Sequence, residues 1–377
     1  MKNIIIFYPW IIEYGGLERN ILALSSAIKK RNLKPVLLCF YDKLNMQKFD
    51  KGLHVHKLDS KHFNPFVNAA KLRFYLEKNK KNILGMPFFF GEKAAFYAAF
   101  NSFFNKYKFV LHYTDPPSLV NYWRSNIIII RFFRKIKRNL ALYVTKIGVK
   151  KASKRITMTK LNADELIKVF GEKFNVIYQG GYYLKSRNLN KKRCKSKNLN
   201  LFSICRITLS KNIDWIIEAV SYLKNTDLFK SWFKNINLAI VGEGPDKKRL
   251  MQLTKKLNLT KSVFFIGFID NKKLEKIYKK TDLFLVPATQ GYGLPVLESL
   301  YREIPVVVNK ESRISEMFKK NPWVKITNNN KKNFIHGLYL HLKKIHNKMP
   351  NKKYLENLPT EEKWAFKIGV YCNWWAK

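Results

Sequence analysis

The sequence is short of the residue types that disulfide scaffolds and metal sites need. Of its 377 residues, 4 are cysteine and 7 are histidine. The histidines form no cluster, and no Cys-x-x-Cys pair occurs among Cys39, Cys194, Cys205 and Cys372. A disulfide framework or a zinc site would require more closely patterned cysteines or histidines. The sequence therefore predicts a protein of a reducing compartment that has no metal site.

Long apolar runs are also lacking. No uninterrupted apolar stretch approaches the ~18 residues that a membrane-spanning helix needs. The best candidate, residues 83–104, contains Glu92 and Lys93. Residues 1–7 lead directly into a predicted strand rather than into the pattern of a signal peptide. We therefore expect a cytoplasmic protein without a transmembrane segment.

Acidic residues are scarce, because 26 Asp and Glu stand against 72 Lys and Arg, a formal net charge of +46. Lys outnumbers Arg, and Asn and Ile are abundant, so part of this charge reflects a compositional bias. A field of this size still attracts anionic membranes, nucleic acids and phosphorylated substrates. The basic residues are spread over the chain and no recognised nucleic-acid-binding motif is present. We therefore expect salt-sensitive nucleic-acid binding without sequence specificity.

The sequence does contain apolar strands that alternate with amphipathic helices, over a length sufficient for two domains. A strand–helix–strand order of this kind indicates parallel, doubly wound sheets, so the predicted fold class is α/β with two Rossmann-like domains. The basic, aperiodic residues 185–198 are typical of a linker between the two. The predicted strands are residues 3–7, 35–40 and 110–113 in the first domain, and 201–205, 238–241, 263–266, 283–286 and 305–308 in the second.

The most informative stretch is residues 281–308. An apolar strand, Leu283–Val286, is followed by a loop with Gly291 and Gly293, and Pro295 suits the first turn of the next helix. The free N–H groups and positive dipole end of a helix hold anions, and glycines let an anion approach closely. The stretch therefore predicts an anion site.

This stretch resembles the donor-site signature of the retaining GT-B glycosyltransferases of family 4, also called glycosyl transferases group 1. Those proteins show a Glu, then Gly-Phe-Gly-Leu-Pro, and a second Glu eight positions after the first. This chain has Gln290, then Gly291, Tyr292, Gly293, Leu294 and Pro295, and then Glu298. The spacing matches, and the first acid is replaced by an amide.

Four further segments resemble motifs of the same family. Gly15 and Gly16, followed by Leu-Glu-Arg, resemble the glycine loop of its N-terminal domain, although a Gly-Gly pair alone is also typical of a simple turn. Arg206 and Lys211 follow the first strand of the second domain, where the family places an Arg and a Lys that clamp the donor diphosphate, and Asn212 stands where the family has a Gly after that Lys. The loop Gly242-Glu-Gly-Pro and the segment Gly267, Phe268 and Ile269 resemble loops that border the nucleotide.

The resemblance implies a GT-B fold with two domains that face a cleft. Residues 1–187 would form the acceptor-side domain, residues 188–355 the nucleotide-sugar-binding domain, and residues 356–377 a helix that packs back on the first domain. It also implies transfer of a sugar from a nucleoside-diphosphate sugar to an acceptor hydroxyl with retention of configuration. The substrate takes the place of a cofactor, and the absence of an Asp-x-Asp motif predicts a metal-independent hexosyltransferase.

The resemblance also implies roles for individual residues. Two fixed cations stabilise a departing diphosphate, which fits Arg206 and Lys211. Glu298 would hydrogen-bond the ribose, although a Glu early in a helix also stabilises its dipole. Gln290 would meet the sugar hydroxyls, since an amide both donates and accepts.

Two weaker candidates lie at the end of the strand at residues 110–113. In relatives this strand end carries a His beside the transferred sugar. His112 lies two residues before the matching position and on the same strand face, and Asp115 follows shortly after. A strand-end His with a helix-capping Asp is an equally good interpretation.

Residues 123–155 combine large apolar side chains with many Lys and Arg, for example Trp123, Phe132 and Arg134. Such a pattern on helices suits the surface of an anionic membrane, but also a solvated Lys-rich helix with an ordinary core face. The first interpretation would make the protein peripheral on the inner face of the membrane. It would also suit a glycan or lipid-linked acceptor of polysaccharide or lipopolysaccharide biosynthesis.

Two other functions stay open at this point. Gln290 and Glu303, which replaces a Gly of the family, are compatible with a catalytically silent relative that serves as a partner subunit. The charge alone suggests a basic nucleic-acid-binding protein.

Overall fold

The computed structural model describes residues 2–58, 64–119, 128–181 and 196–376, with the backbone alone for residues 128–135 and 228. The chain divides into two compact units. Unit 1 comprises Met1–Gly180 and Thr360–Lys377, and unit 2 comprises Gly181–Pro359.

Unit 1 alternates strands and helices along the chain. Its strands are β1 (Asn3–Phe7), β2 (Trp10–Ile11), β3 (Lys34–Cys39), β4 (Tyr41–Asp42), β5 (His54–Lys57), β6 (Phe88–Phe90), β7 (Val110–His112), β8 (Lys154–Thr157) and β9 (Asn175–Val176). Its helices are α1 (Gly16–Lys29), α2 (Pro65–Lys78), α3 (Glu92–Ala99), α4 (Ile128–Lys151), α5 (Lys160–Phe170) and, from the last segment, α12 (Glu361–Tyr371).

Within the described residues of unit 1, seven strands form a sheet in the order β5-β3-β1-β6-β7-β8-β9. Every neighbouring pair in it is parallel. Parallel sheets are covered on both faces, which is why these strands read as continuous apolar runs. One face packs on α2, α3 and α5, and the other on α1 and α12, where Trp364 and Ile368 are buried.

Unit 2 repeats this alternation. Its strands are β10 (Asn198–Ile204), β11 (Asn235–Val241), β12 (Val263–Gly267), β13 (Leu283–Val286), β14 (Val306–Asn309) and β15 (Val324–Thr327). Its helices are α6 (Ile213–Lys224), α7 (Asp227–Trp232), α8 (Lys247–Lys256), α9 (Asn271–Lys280), α10 (Leu294–Tyr301) and α11 (Lys331–Asn347). In the described part of the chain these strands form one parallel sheet in the order β12-β11-β10-β13-β14-β15.

The predicted α/β fold class is confirmed, and β1 and β13 have the predicted bounds. Two segments differ from the sequence interpretation. The run Phe88–Phe90, part of the candidate membrane span at residues 83–104, is the buried strand β6. Lys154 and Arg155, grouped with a basic helical region, begin strand β8 because α4 ends at Lys151. Among the described helices, none has the length and apolarity that crossing a membrane requires.

The predicted linker lies mostly outside the described residues, which resume at residue 196. Residues 120–127, including Trp123, are also outside them.

Candidate active site

In unit 2 the carboxyl ends of β10 and β13 border a pocket of about 240 Å³. The strand order reverses at this pair, because β11 and β12 lie on one side of β10 and β14 and β15 lie on the other side of β13. In open parallel sheets, ligands bind outside the carboxyl ends at such a reversal. The pocket is lined by Ser203, Ile204, Cys205, Arg206, Lys211, Ile213, Val286, Pro287, Ala288, Gln290, Gly293, Pro295 and Val296.

The loop between β13 and α10 closes one side of this pocket. Gly293 caps α10 with φ of 128°, a conformation that residues with a side chain rarely adopt. A Cβ atom at Gly293 would lie 2.4 Å from Gln290 Nε2 and 3.2 Å from Ser312 Oγ. Pro295 stands in the first turn of α10, where no N–H is required. The glycine is needed because the Gln290 side chain folds directly over it.

Gln290 is held at both ends of its amide. Lys211 Nζ donates to Gln290 Oε1 at 2.6 Å, and Gln290 Nε2 donates to Ser312 Oγ at 3.0 Å. The Ser312 hydroxyl in turn donates to the Tyr292 carbonyl at 3.0 Å. The carbonyl end of Gln290 therefore points to Lys211, and its NH₂ end ties the glycine loop to the segment after β14. Ser312 was not found from the sequence, because no pattern links it to residue 290.

Arg206 and Lys211 lie on the loop after β10, and both line the pocket. Asn212, directly after Lys211, has φ of 49°, and its Nδ2 donates to the Pro287 carbonyl at 2.9 Å. Asn is one of the few residues with a side chain that adopts this left-handed conformation readily. Asn212 therefore fills the position of a family glycine and also joins the loops after β10 and β13. Burial raises the pKa of the neighbouring Cys205 thiol to about 11, so the thiol stays protonated at neutral pH.

The predicted glycines Gly242 and Gly267 hold loops together rather than line this pocket. A Cβ atom at Gly242, where φ is 123°, would lie 2.0 Å from the Cys205 carbonyl oxygen. The Gly242 N–H donates to the Gly267 carbonyl at 2.9 Å. Beside them, Phe268 is 82% exposed and Ile269 is half-buried. The two glycines therefore allow close approach of the β10, β11 and β12 ends.

The structure does not bring Glu298 to the pocket lining. Glu298 is buried on α10, and its Oε2 accepts from the Tyr278 hydroxyl at 3.3 Å. Of the remaining predicted residues, Gly291 and Tyr292 are also buried, and the Tyr292 hydroxyl lies 3.6 Å from Met317 Sδ. Leu294 is half-buried at the start of α10.

In unit 1, Gly15 and Gly16 lie where α1 begins, after β1 and β2. The Gly15 N–H already donates to Glu18 Oε2 at 2.9 Å. Glu18 is buried, and this burial raises the pKa of its carboxyl. An anion at the Gly15 amide would therefore have to displace a carboxylate of the same chain.

His112, predicted as a catalytic residue, is fully buried. Its ring stacks on Phe90, with centroids 5.0 Å apart, and lies near Phe88 and Trp364. Neither ring nitrogen has a hydrogen-bond partner among the described residues. Burial lowers the pKa of His112 to about 3, so the ring is neutral and part of the core. Strand alternation places His112 on the same face as residue 114, and in this protein that face is turned toward the core.

Asp115, a weaker candidate from the sequence, and Glu92, which was not predicted as a site residue, lie at the carboxyl ends of β7 and β6. Burial, and after it the charge of Asp115, raise the pKa of Glu92, the first residue of α3, to about 7. The only sequence signal was Gly91-Glu92 directly after an apolar run, which has the form of a strand–turn–helix junction. Among the described residues, no group of three or more His, Cys, Asp or Glu side chains is placed to hold a metal ion.

Comparison with known proteins agrees with this geometry. Residues 185–352 match the model of the family described as "Glycosyl transferases group 1". This match covers most of unit 2. The predicted family resemblance is confirmed at this level.

The whole chain also has counterparts of the same fold. WaaG, a glycosyltransferase involved in lipopolysaccharide biosynthesis, superposes with a TM-score of 0.67 at 15% identity, over 98% of this chain and 99% of WaaG. HepE of Anabaena, in complex with UDP, gives 0.67 at 16% identity over 99% and 95%. The GT-B fold of the chain is thereby established.

A curated relative from Campylobacter jejuni is the N-acetylgalactosamine-N,N'-diacetylbacillosaminyl-diphospho-undecaprenol 4-alpha-N-acetylgalactosaminyltransferase. It is 26% identical over 316 residues, which cover 81% of this chain and 80% of that protein. Two other curated relatives are matched over only 20% and 28% of their own lengths.

Proposed function

We propose that the protein is a glycosyltransferase that moves a sugar from a nucleoside-diphosphate sugar to an acceptor hydroxyl. The observation that supports this most directly is the unit 2 pocket, where Arg206, Lys211 and Gln290 meet the glycine loop at the reversal of the strand order. A pocket of about 240 Å³ is too small for a whole nucleotide sugar and suits a diphosphate with part of the sugar.

The residue types fit the charge that such a reaction generates. As the glycosidic bond breaks, negative charge grows on the departing diphosphate, and fixed cations stabilise it most where water is scarce. Arg206 and Lys211 supply that charge, and the positive dipole end of α10 adds to it. No carboxylate is among the described residues that line the pocket. We therefore propose that the leaving group is stabilised without a metal ion.

Gln290 is proposed to contact the sugar through its amide. Its carbonyl accepts from Lys211 and its NH₂ donates to Ser312. An amide in place of a carboxylate still orients the sugar hydroxyls. Because the amide is uncharged, it does not neutralise Lys211, whose positive charge acts on the diphosphate. Retention of configuration is proposed from the family resemblance.

The outer parts of the donor are assigned to the remaining signature residues. We propose that Glu298 binds the ribose, for which its carboxylate must turn away from Tyr278. The exposed Phe268 ring offers a face on which a base can stack. Gly15 and Gly16 remain proposed contacts of the diphosphate.

The acceptor is proposed to be a glycan or a lipid-linked glycan. The Campylobacter relative is named for an undecaprenol-linked acceptor, and WaaG is described as acting in lipopolysaccharide biosynthesis. By analogy we place this protein in the cytoplasm, at the inner face of the membrane that carries such acceptors.

A thermal-shift experiment with nucleoside diphosphates in the presence of EDTA tests the donor assignment. A ligand at about 100 times its Kd stabilises the folded protein by about 2.7 kcal/mol, which is a readily measured rise in Tm. We expect one nucleotide to raise the Tm of the wild type and of Lys255→Ala, whose exposed lysine lies on α8. Arg206→Ala should lose that rise. If no nucleotide shifts the wild type, or if Arg206→Ala responds like the wild type, the donor site is not where we propose.

A further inference from the structure

Helix α4 of unit 1 is apolar on its solvent side. Ile136, Leu140, Tyr143 and Ile147 recur every three or four residues, so they share one face of the helix. All four are exposed, Leu140 by 62% and Tyr143 by 65%. A surface helix ordinarily turns polar side chains to water on this side.

The apolar stripe is not the face by which α4 packs. The packed face carries Thr145, Gly148 and Val149, which are buried. The approach to α3 is so close that a Cβ atom at Gly148 would lie 1.7 Å from the Ala95 carbonyl oxygen. The helix is therefore fixed on one side, and its opposite side presents large apolar side chains to the surroundings.

Helix α2 extends this surface. Phe66, 63% exposed, packs edge-to-face on Phe100 at the end of α3, with ring centroids 4.8 Å apart. Phe66, Phe100, Val144 and Ile147 line one open groove of about 510 Å³. Further exposed apolar residues of α2 are Val67 and Phe74. Both of these line a separate pocket beside β5, and we call the surface formed by Phe66, Ile136, Leu140, Tyr143 and Ile147 the α2–α4 face.

The charges around the α2–α4 face have one sign. Helix α4 contains no acidic residue, and Lys137 and Lys150 are exposed beside its stripe. Helix α2 contains one acid, Glu77, which pairs with Arg73 at 3.0 Å. Contiguous apolar surface on a protein marks a binding site. A basic rim around such a surface matches the interface of an anionic bilayer, where apolar side chains enter the lipid and cations meet phosphate groups.

We propose that the α2–α4 face docks the protein on a membrane that contains anionic phospholipid. Nucleic acid would use the same cations but would not bury isolated aliphatic side chains such as Ile136 and Leu140, which gain only from an apolar partner. The inference does not depend on the proposed donor site, because vesicle binding requires no nucleotide sugar.

Co-sedimentation with vesicles tests this proposal. The full chain is mixed with phosphatidylcholine vesicles that contain about one third phosphatidylglycerol, or with phosphatidylcholine alone, at about 0.05 M and about 0.5 M salt. We expect binding to the anionic vesicles at low salt and weak binding to the neutral ones. The double variant Leu140→Ser/Tyr143→Ser should lower the partition coefficient at least tenfold. Lys137→Gln/Lys150→Gln should lower it several-fold at low salt and little at high salt.

Matched controls come from exposed residues of unit 2. Met251→Ser/Phe264→Ser removes two exposed apolar side chains, and Lys255→Gln/Lys256→Gln removes two exposed charges. Both should bind vesicles as the wild type does, and an unchanged Tm should show that every variant is folded. The proposal is wrong if the wild type does not bind anionic vesicles, or if the α4 variants bind as well as their controls. It is also wrong if duplex DNA binding falls together with vesicle binding in Leu140→Ser/Tyr143→Ser, since that face would then bind nucleic acid.

Discussion

The two units share a plan but differ in the charge at the edge where ligands bind. In each, a parallel sheet reverses its order beside its first strand, between β1 and β6 in unit 1 and between β10 and β13 in unit 2. The carboxyl edge of unit 2 presents Arg206 and Lys211. The corresponding edge of unit 1 carries Glu18 and the pair of Glu92 with Asp115.

This difference shows that the topology of the sheet determines where a site lies, whereas the side chains determine which ligand it binds. A cationic edge suits a diphosphate, which is negatively charged in the donor and gains further negative charge as the glycosidic bond breaks. An edge with buried and half-buried carboxyls suits neutral hydroxyl groups, for which carboxylates are strong hydrogen-bond acceptors. The net charge of +46 makes the acidic edge of unit 1 the more informative of the two, because composition alone would not produce it.

The largest effect is expected from removing the cation that defines the unit 2 edge. Lys211→Ala should lower turnover by about 10²-fold or more, since a fixed charge at the leaving group acts mainly in the transition state. It also removes the donor that orients Gln290. Initial rates of sugar transfer or donor hydrolysis measure this, with Lys255→Ala as the control. A loss below tenfold would mean that Lys211 does not face the departing diphosphate.

The next prediction concerns the acidic edge of unit 1 and its pH dependence. The pKa of Glu92 is raised from its ordinary value to about 7, so the folded state holds a proton that the unfolded state has released between these values. The stability that depends on this proton is complete below the ordinary pKa and is lost as pH rises through about 7. Glu92→Gln should therefore stabilise the protein by about 2 kcal/mol at pH 8 and by little at pH 4.

Unfolding in denaturant at both pH values measures this difference. Glu77→Gln, on the exposed surface of α2, is the control. An equal effect of Glu92→Gln at both pH values would show that the Glu92 carboxyl is ionised like an ordinary one.

A third prediction contrasts glycines of the two units. Gly293→Ala should destabilise unit 2 by about 2 kcal/mol and weaken nucleotide binding, because its Cβ would meet Gln290 and its φ is positive. Gly171 of unit 1 also has positive φ, 74°, but no atom lies within 4 Å of its Cβ position. Gly171→Ala should cost only about 1 kcal/mol and leave nucleotide binding unchanged. Equal losses of stability in the two variants would show that Gly293 is not crowded by its neighbours. Denaturant unfolding and calorimetric titration provide the two measurements.

The smallest effect is expected from giving the unit 2 edge an acid. Gln290→Glu would pair with Lys211 and neutralise it, so nucleoside-diphosphate affinity should fall by about three- to tenfold, less at high salt. Gln290→Met, which has similar size and no charge, separates this effect from loss of the hydrogen bonds. Stronger binding by Gln290→Glu, together with faster turnover, would identify the natural amide as a defect of the site.

Much of the fold could be predicted because parallel strands are continuous apolar runs, as in Leu283–Val286. Strand β6 was missed because Phe88–Phe90 is short and lies between apolar neighbours that resemble a longer run. In the site, Arg206, Lys211 and Gln290 were found from motif spacing, and the structure places all three around one pocket. The contact of Gln290 with Ser312 joins loops after different strands, so no local pattern contains it.

The departures from the family pattern also have a structural reason. Asn212 and Glu303 replace family glycines, and both adopt positive φ, 49° and 55°. For Asn212 the cost is small, and its side chain gains a hydrogen bond to the Pro287 carbonyl. Glu303 forms an ion pair with Lys352 at 2.7 Å. The sequence shows that Asn212 and Glu303 replace glycines, but only the structure shows that the backbone at both residues has the positive φ typical of glycine.

The composition of unit 1 from two distant segments has a consequence for how the chain folds as it is made. Trp364 and Ile368 of α12 belong to the same core cluster as Ile21 and Leu24 of α1. Helix α12 is synthesised only after all of unit 2. Unit 2 can thus close its core as an uninterrupted segment, whereas the part of α1 that packs on α12 stays uncovered until α12 has been translated.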